Sequence, residues 1–85
     1  MSEWVVYILE CKDKTLYTGI TNDIKRRIEQ HNAGKGAKYT MVRRPVKLLI
    51  TFEMPSRSEA MKREYQIKQM TRKEKLLLIK NEKNG

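Results

Sequence analysis

Two tyrosines, an arginine, a histidine and one glutamate are the residues of this chain whose types and order could do chemistry together. Tyr7 sits in Val5-Val6-Tyr7-Ile8-Leu9 and Tyr17 in Leu16-Tyr17-Thr18-Gly19. Arg27 and His31 follow four residues apart, and Glu64 stands in an otherwise basic stretch. Phenol and imidazole move protons, and a guanidinium fork grips a phosphate. A lone carboxylate, helped by water and phosphate oxygens, offers the sparse ligation that Mg²⁺ accepts. The set is a parts list for metal-dependent phosphodiester cleavage.

Each member also has an ordinary structural use. A carboxylate on the inward stripe of a helix costs several kcal/mol unless it gains a partner. Lys62, Arg63 or Lys68 could supply a salt bridge to Glu64 instead of a metal ion. Arg27 could pair with Glu64 rather than clamp a phosphate. His31 could cap its helix by bonding a carbonyl, or accept a proton from a phenol beside it. Tyr7 and Tyr17 could be core aromatics whose hydroxyls reach the surface. A phenol with an ordinary pKa near 10 is a poor base unless a metal or a histidine assists it.

The elements that must position these groups can be read from the pattern. Residues 4–10 are β-branched and aromatic without strict alternation, as in a strand covered on both faces. Lys12-Asp13-Lys14 forms a turn, and Thr15 to Ile20 a second strand, giving a hairpin. A three-residue loop makes Cys11 face Thr15, Tyr7 face Gly19 and Leu9 face Tyr17. The tyrosines then share one face as diagonal neighbours, about 7–8 Å apart or less, with open space at Gly19. A two-residue loop would put them on opposite faces and remove the site.

Thr21 or Asn22 caps a helix beginning at Asp23, and Ile24, Arg27, Ile28 and His31 share its apolar stripe. That helix ends around Ala33-Gly34, and a basic loop follows, carrying Lys35, Lys38, Arg43 and Arg44. Val46 to Glu53 is a third strand with Leu48-Leu49-Ile50 covered on both sides. Ser56-Arg57-Ser58-Glu59 is a capping box opening a helix with Ala60, Met61, Ile67 and Met70 inward, Tyr65 marginal, and Glu64 on the same stripe. Thr71-Arg72-Lys73-Glu74 is a second capping box, starting a short helix with Leu76, Leu77 and Ile79. The order β-β-α-β-α-α describes an α+β chain, a small mixed sheet flanked by helices.

The 85 residues suit one domain with a thin core. The net charge is +9, and between Lys25 and Phe52 eight basic residues face one acidic residue, Glu29. Such asymmetry favours a polyanionic partner, nucleic acid first, over a merely solvated surface. A membrane surface fits poorly, since no helix pairs a basic face with exposed Trp or Phe. The longest apolar run is six residues, Trp4 to Leu9, and Met1-Ser2-Glu3-Trp4 has no leader-like character, so a soluble, cytoplasmic protein is expected. Cys11, the single cysteine, excludes an internal disulfide and reads as a half-buried thiol at a strand end; the Cys and His count cannot build a zinc site.

The run Val5-Val6-Tyr7 … Tyr17-Thr18-Gly19, then Arg27, His31 and Glu64, resembles the GIY-YIG nuclease superfamily over roughly residues 3 to 80. Length and termini resemble the small stand-alone bacterial members that lack an appended DNA-binding domain. The resemblance implies a three-stranded antiparallel sheet with helices around it, and single-metal hydrolysis of DNA. Matched by position, Tyr7 and Tyr17 are the motif tyrosines, Gly19 the motif glycine and Arg27 the phosphate-binding arginine. Glu64 matches the ligand of Mg²⁺ or Mn²⁺, and His31 a histidine found in some branches. Val5 stands where the first motif has glycine, and Ile20 where the excision-repair branch has lysine. A base assisting a tyrosine here must therefore be His31, with either tyrosine as its partner. A C-terminal asparagine of restriction-type members has no secure counterpart, Asn81 being the nearest choice.

Two function classes follow. One is an endonuclease acting on DNA, branched or damaged structures included, with low sequence specificity expected without a recognition domain, because direct readout needs an element placed in a groove. The other is a binding module that keeps the fold and cleaves slowly or not at all. RNA as substrate and a repair or recombination protein as partner stay open, with Tyr39 and Met41 the hint of the latter.

Overall fold

The computed structural model describes residues 3–84, the side chain of Asn84 excepted. Met1 and Ser2, on which part of the leader argument rests, lie outside them. The elements are β1 (Val5–Glu10), β2 (Leu16–Thr21), α1 (Ile24–Asn32), α2 (Lys38–Met41), β3 (Lys47–Glu53), α3 (Arg57–Lys68) and α4 (Arg72–Asn84). The expected β-β-α-β-α-α order holds, with the single turn α2 added inside the basic segment. The three strands form one antiparallel sheet in the order β2-β1-β3.

The hairpin register is the one that a three-residue loop requires. Tyr7 pairs with Gly19 and Leu9 with Tyr17, and Cys11 N–H donates to Thr15 O at 2.9 Å. The left-handed position that such loops usually give to glycine is taken by Lys14, φ 70°. Asp13 holds the loop by accepting from Thr15 N–H at 3.1 Å and Thr15 O–H at 2.6 Å.

As the central strand, β1 is buried on both faces, and its alternating side chains divide the core. Val6 and Ile8 meet Ala60 and Ile67 of α3 and Ile79 of α4. Tyr7 and Leu9 lie on the other face with Cys11, Val46, Tyr17 and, from α1, Ile24 and Ile28. Cys11 is buried outright rather than half-buried.

Several expected details differ, one for a local reason and the others for tertiary ones. Asp23 is the cap of α1 rather than its first residue; its carboxylate accepts from Arg26 N–H, and Thr21 Oγ1 accepts from Asp23 N–H. Leu48 is exposed, because β3 is an edge strand and its register shifts opposite Ile8 and Leu9. Met61 and Tyr65 face outward on α3, so its apolar stripe is narrower than the composition suggests. In α4, which is 13 residues long rather than short, Leu78 and Ile79 pack inward while Leu76 and Leu77 are exposed. Both capping serine/threonine residues act as expected: Ser56 accepts from Glu59 N–H, and Thr71 and Glu74 exchange hydrogen bonds. No described helix is long and apolar enough to cross a membrane.

Candidate active site

Parity in β1 aims Tyr7 at α1, and the four-residue spacing of Arg27 and His31 aims both back at it. Their polar atoms close into a chain. Arg27 Nε donates to Tyr7 Oη at 3.3 Å, and Tyr7 Oη lies 2.9 Å from His31 Nε2. On the far side of the ring, His31 Nδ1 is 2.7 Å from Thr40 Oγ1, which donates its one proton to Ala37 O at 3.0 Å. Thr40 must therefore accept from Nδ1–H, which leaves Nε2 unprotonated to accept the Tyr7 proton. The chain runs Tyr7 O–H to His31, His31 N–H to Thr40, and Thr40 O–H to the backbone.

Tyr7, His31 and Thr40 are all buried, so each proton position matters energetically. Burial lowers the His31 pKa from 6.5 to about 4, and the Arg27 charge adds to the effect. Burial also raises the Tyr7 pKa against the opposing influence of Arg27, with the charges of Tyr17 and Glu64 raising it further. At neutral pH the resting state is a neutral phenol donating to a neutral imidazole.

Two glycines make the close packing feasible. A Cβ at Gly19 would stand 2.5 Å from Tyr7 Oη and 2.7 Å from its Cζ, so the space expected there is filled by the phenol itself. A Cβ at Gly36 would collide with His31 Nδ1. Tyr17 packs with its ring centroid 6.4 Å from Tyr7, 5.3 Å from His31 and 6.0 Å from Tyr39, stacked on the last at 26°. Of the two tyrosines, Tyr7 is the one hydrogen-bonded to the imidazole.

Glu64 comes from α3, the helix packed mainly along β2 on the other layer. Its charge acts on Tyr7, and its carboxylate lies 3.5 Å from Lys68 Nζ, so the salt bridge foreseen as the ordinary reading is present. Arg27 bonds Gln30 Oε1 at 3.1 Å rather than Glu64. Among the described residues no group of three or more His, Cys, Asp or Glu could hold a metal ion by itself. A cation on Glu64 would take its other ligands from water and substrate, which suits Mg²⁺ or Mn²⁺.

The four cations of the basic segment are not equivalent. Lys35 and Lys38 are exposed. Arg43 is engaged with Asp13 Oδ2 at 3.1 Å, Tyr39 O at 2.9 Å and the Tyr39 ring at 4.0 Å. Arg44 donates to Met41 O at 2.8 Å and Asn32 O at 3.4 Å. Asn81 is exposed on α4. Thr40 escaped the sequence reading because a hydroxyl in a single helical turn carries no periodic signal.

One face of the three-stranded antiparallel sheet thus brings two tyrosines against an arginine and a histidine of α1. The sequence model of the GIY-YIG catalytic domain matches residues 3–77, and the chain belongs to that family. A UPF0213 protein of Streptococcus agalactiae is 57% identical over 79 residues, covering 93% of this chain and 90% of that one. The solution structure of a UPF0213 protein from Bacillus halodurans superposes with a TM-score of 0.59 at 51% identity, covering 91% of this chain and 82% of that one. A protein from E. faecalis gives a TM-score of 0.67 at 41% identity over 95% and 86%.

Proposed function

We propose that this protein is a divalent-cation-dependent nuclease that hydrolyses DNA phosphodiester bonds, directed by structure or with low sequence specificity. The observation that carries this reading is the closed chain from Arg27 through Tyr7 and His31 to Thr40. Its polarity suits a proton shuttle. As the attacking water gives its proton to Tyr7 Oη, the phenolic proton passes to His31 Nε2. Separate ionisation of Tyr7 is disfavoured by the raised phenol pKa and the lowered imidazole pKa, so the two transfers belong to one concerted step. Arg27 is placed to steady the Tyr7 oxygen and to reach a phosphate oxygen with its remaining N–H groups. Mg²⁺ or Mn²⁺ on Glu64 would supply Lewis-acid stabilisation of the charge developing at phosphorus and the leaving oxygen.

The deciding experiment incubates labelled single-stranded, duplex and branched DNA, and RNA, with the protein in Mg²⁺, Mn²⁺ or EDTA, beside Glu64→Gln. Metal-dependent cleavage that disappears in the variant is expected. Binding without cleavage on every substrate would make the chain a binding module instead.

A further inference from the structure

One cleft next to the proton chain has no part in the reaction above. It opens along the free edge of β2, has a volume of about 330 Å³, and is lined by Leu16, Tyr17, Thr18, Tyr39, Lys68 and Lys75. The stacked rings of Tyr17 and Tyr39 form one wall. Tyr17 also packs on His31, so the cleft and the proton chain share that ring. Lys68 ends α3 and Lys75 lies in the first turns of α4, and the short connection between the helices brings both to the cleft. Arg72 pins the start of α4 by donating twice to Lys14 O, at 3.2 and 3.0 Å.

Among the described residues the cleft lining holds two lysines and no carboxylate. Lys75 is partly buried, and burial together with the Lys68 charge lowers its pKa. Among the described residues Lys75 forms no ion pair, whereas Lys68 pairs with Glu64 at 3.5 Å. Thr18 is 2% exposed, and its Oγ1 has no hydrogen-bond partner among the described residues. Two ammonium groups beside an aromatic wall match the oxygens of a phosphate group.

We propose that this cleft is a phosphate subsite in which Lys68 and Lys75 hold a backbone phosphate of the nucleic acid, adjacent to the phosphate that is cleaved. The nucleic-acid source rests on the nuclease reading; the affinity for phosphate does not. Lys68 would then serve two neighbours, Glu64 and the bound strand. The cleft also differs from the basic segment in position, since its cations come from α3 and α4.

The test uses Lys75, because changing Lys68 would also disturb Glu64. Binding of a fluorescent 12-nucleotide DNA is followed in EDTA at several salt concentrations for wild type, Lys75→Met, Lys75→Arg and Lys80→Met. Methionine keeps the apolar stem, so the folding midpoint should not move. Lys75→Met is expected to weaken binding about threefold to tenfold and to lower the salt slope by about one. Lys75→Arg should bind as wild type, and Lys80→Met, exposed on α4, should lose clearly less than Lys75→Met. In parallel, inorganic phosphate is titrated against ¹⁵N-labelled protein, with shifts expected at Thr18, Lys68 and Lys75. Equal losses in the two methionine variants, or no loss in Lys75→Met, would overturn the subsite while leaving the nuclease reading intact. Phosphate shifts without any DNA binding would keep the subsite and reject its nucleic-acid ligand. Neither shifts nor binding would reject both.

Discussion

The two faces of the central strand are built on opposite principles. Toward α3 and α4, Val6 and Ile8 join a layer held by apolar contact alone, with Ala60 and Ile67 fully buried. Toward α1 and α2, the next residue along, Tyr7, enters a layer where each buried polar atom is tied to another. The first layer tolerates small shifts because dispersion contacts are many and weak. The second does not, because a buried donor or acceptor that loses its partner costs about 1–3 kcal/mol. Glu64 belongs to the first layer by its helix but sits at its margin, its side chain 22% exposed and paired with Lys68. Tyr7, His31 and Thr40 are thus fixed by their hydrogen bonds, whereas the Glu64 carboxylate keeps some contact with solvent.

Separating the two layers by mutation should produce a graded series. Glu64→Gln is expected to reduce cleavage by at least about 1,000-fold, the scale of losing several kcal/mol of charge stabilisation, with no loss of thermal stability. A drop in the melting temperature matching the drop in activity would show that the carboxylate is structural. Tyr7→Phe should lower cleavage by about 100-fold or more. Unlike Glu64→Gln, it should also destabilise the fold by about 1–3 kcal/mol, because His31 and Arg27 both lose a partner; urea unfolding at neutral pH gives that value directly.

The polar layer should also be the acid-sensitive one. The folded pKa of His31, about 4, lies below its ordinary 6.5, so the unfolded chain binds the proton first as pH falls. The contribution is full above the unfolded value and is lost progressively as pH drops toward 4. It amounts to about 3 kcal/mol. Urea midpoints at pH 7 and pH 4.5 should differ accordingly, and His31→Asn should flatten that difference; an unchanged slope would place the acid sensitivity elsewhere. The smallest effect is expected at the end of the chain. Thr40→Val removes the acceptor for His31 Nδ1–H and frees the imidazole tautomer, lowering cleavage about tenfold. Thr40→Ser should restore it, and the ¹⁵N shifts of the imidazole should report the change of tautomer in the free protein.

How much of this is legible in the sequence depends on how local the determinant is. The hairpin register follows from loop length and strand parity, and the inward turn of Arg27 and His31 from a helical repeat, both properties of neighbouring residues. The edge position of β3 is not local, since nothing between Val46 and Glu53 states which strand lies beside it. Leu48 looks like core for that reason. Met61, Leu76 and Leu77 leave their expected environments because the phase of a helix is decided by the surface it packs against. Thr40 and Lys75 take their places from tertiary contacts. One is a hydroxyl in a single helical turn and the other a lysine among lysines, so neither leaves a mark in composition or periodicity.

The loop between β1 and β2 carries a constraint that its exposure conceals. Lys12, Asp13 and Lys14 are all solvent-facing, the setting in which insertions and deletions are ordinarily absorbed. Here the loop counts. A change of one residue in its length would shift the pairing by one step and turn every side chain of β2 over. Tyr17 would leave His31, and Gly19 would no longer make room for Tyr7. A change of two residues preserves the phase. Length variation at this surface turn is therefore restricted to even steps, so that an apparently neutral tip is as selective for number as the buried strand beneath it is for kind.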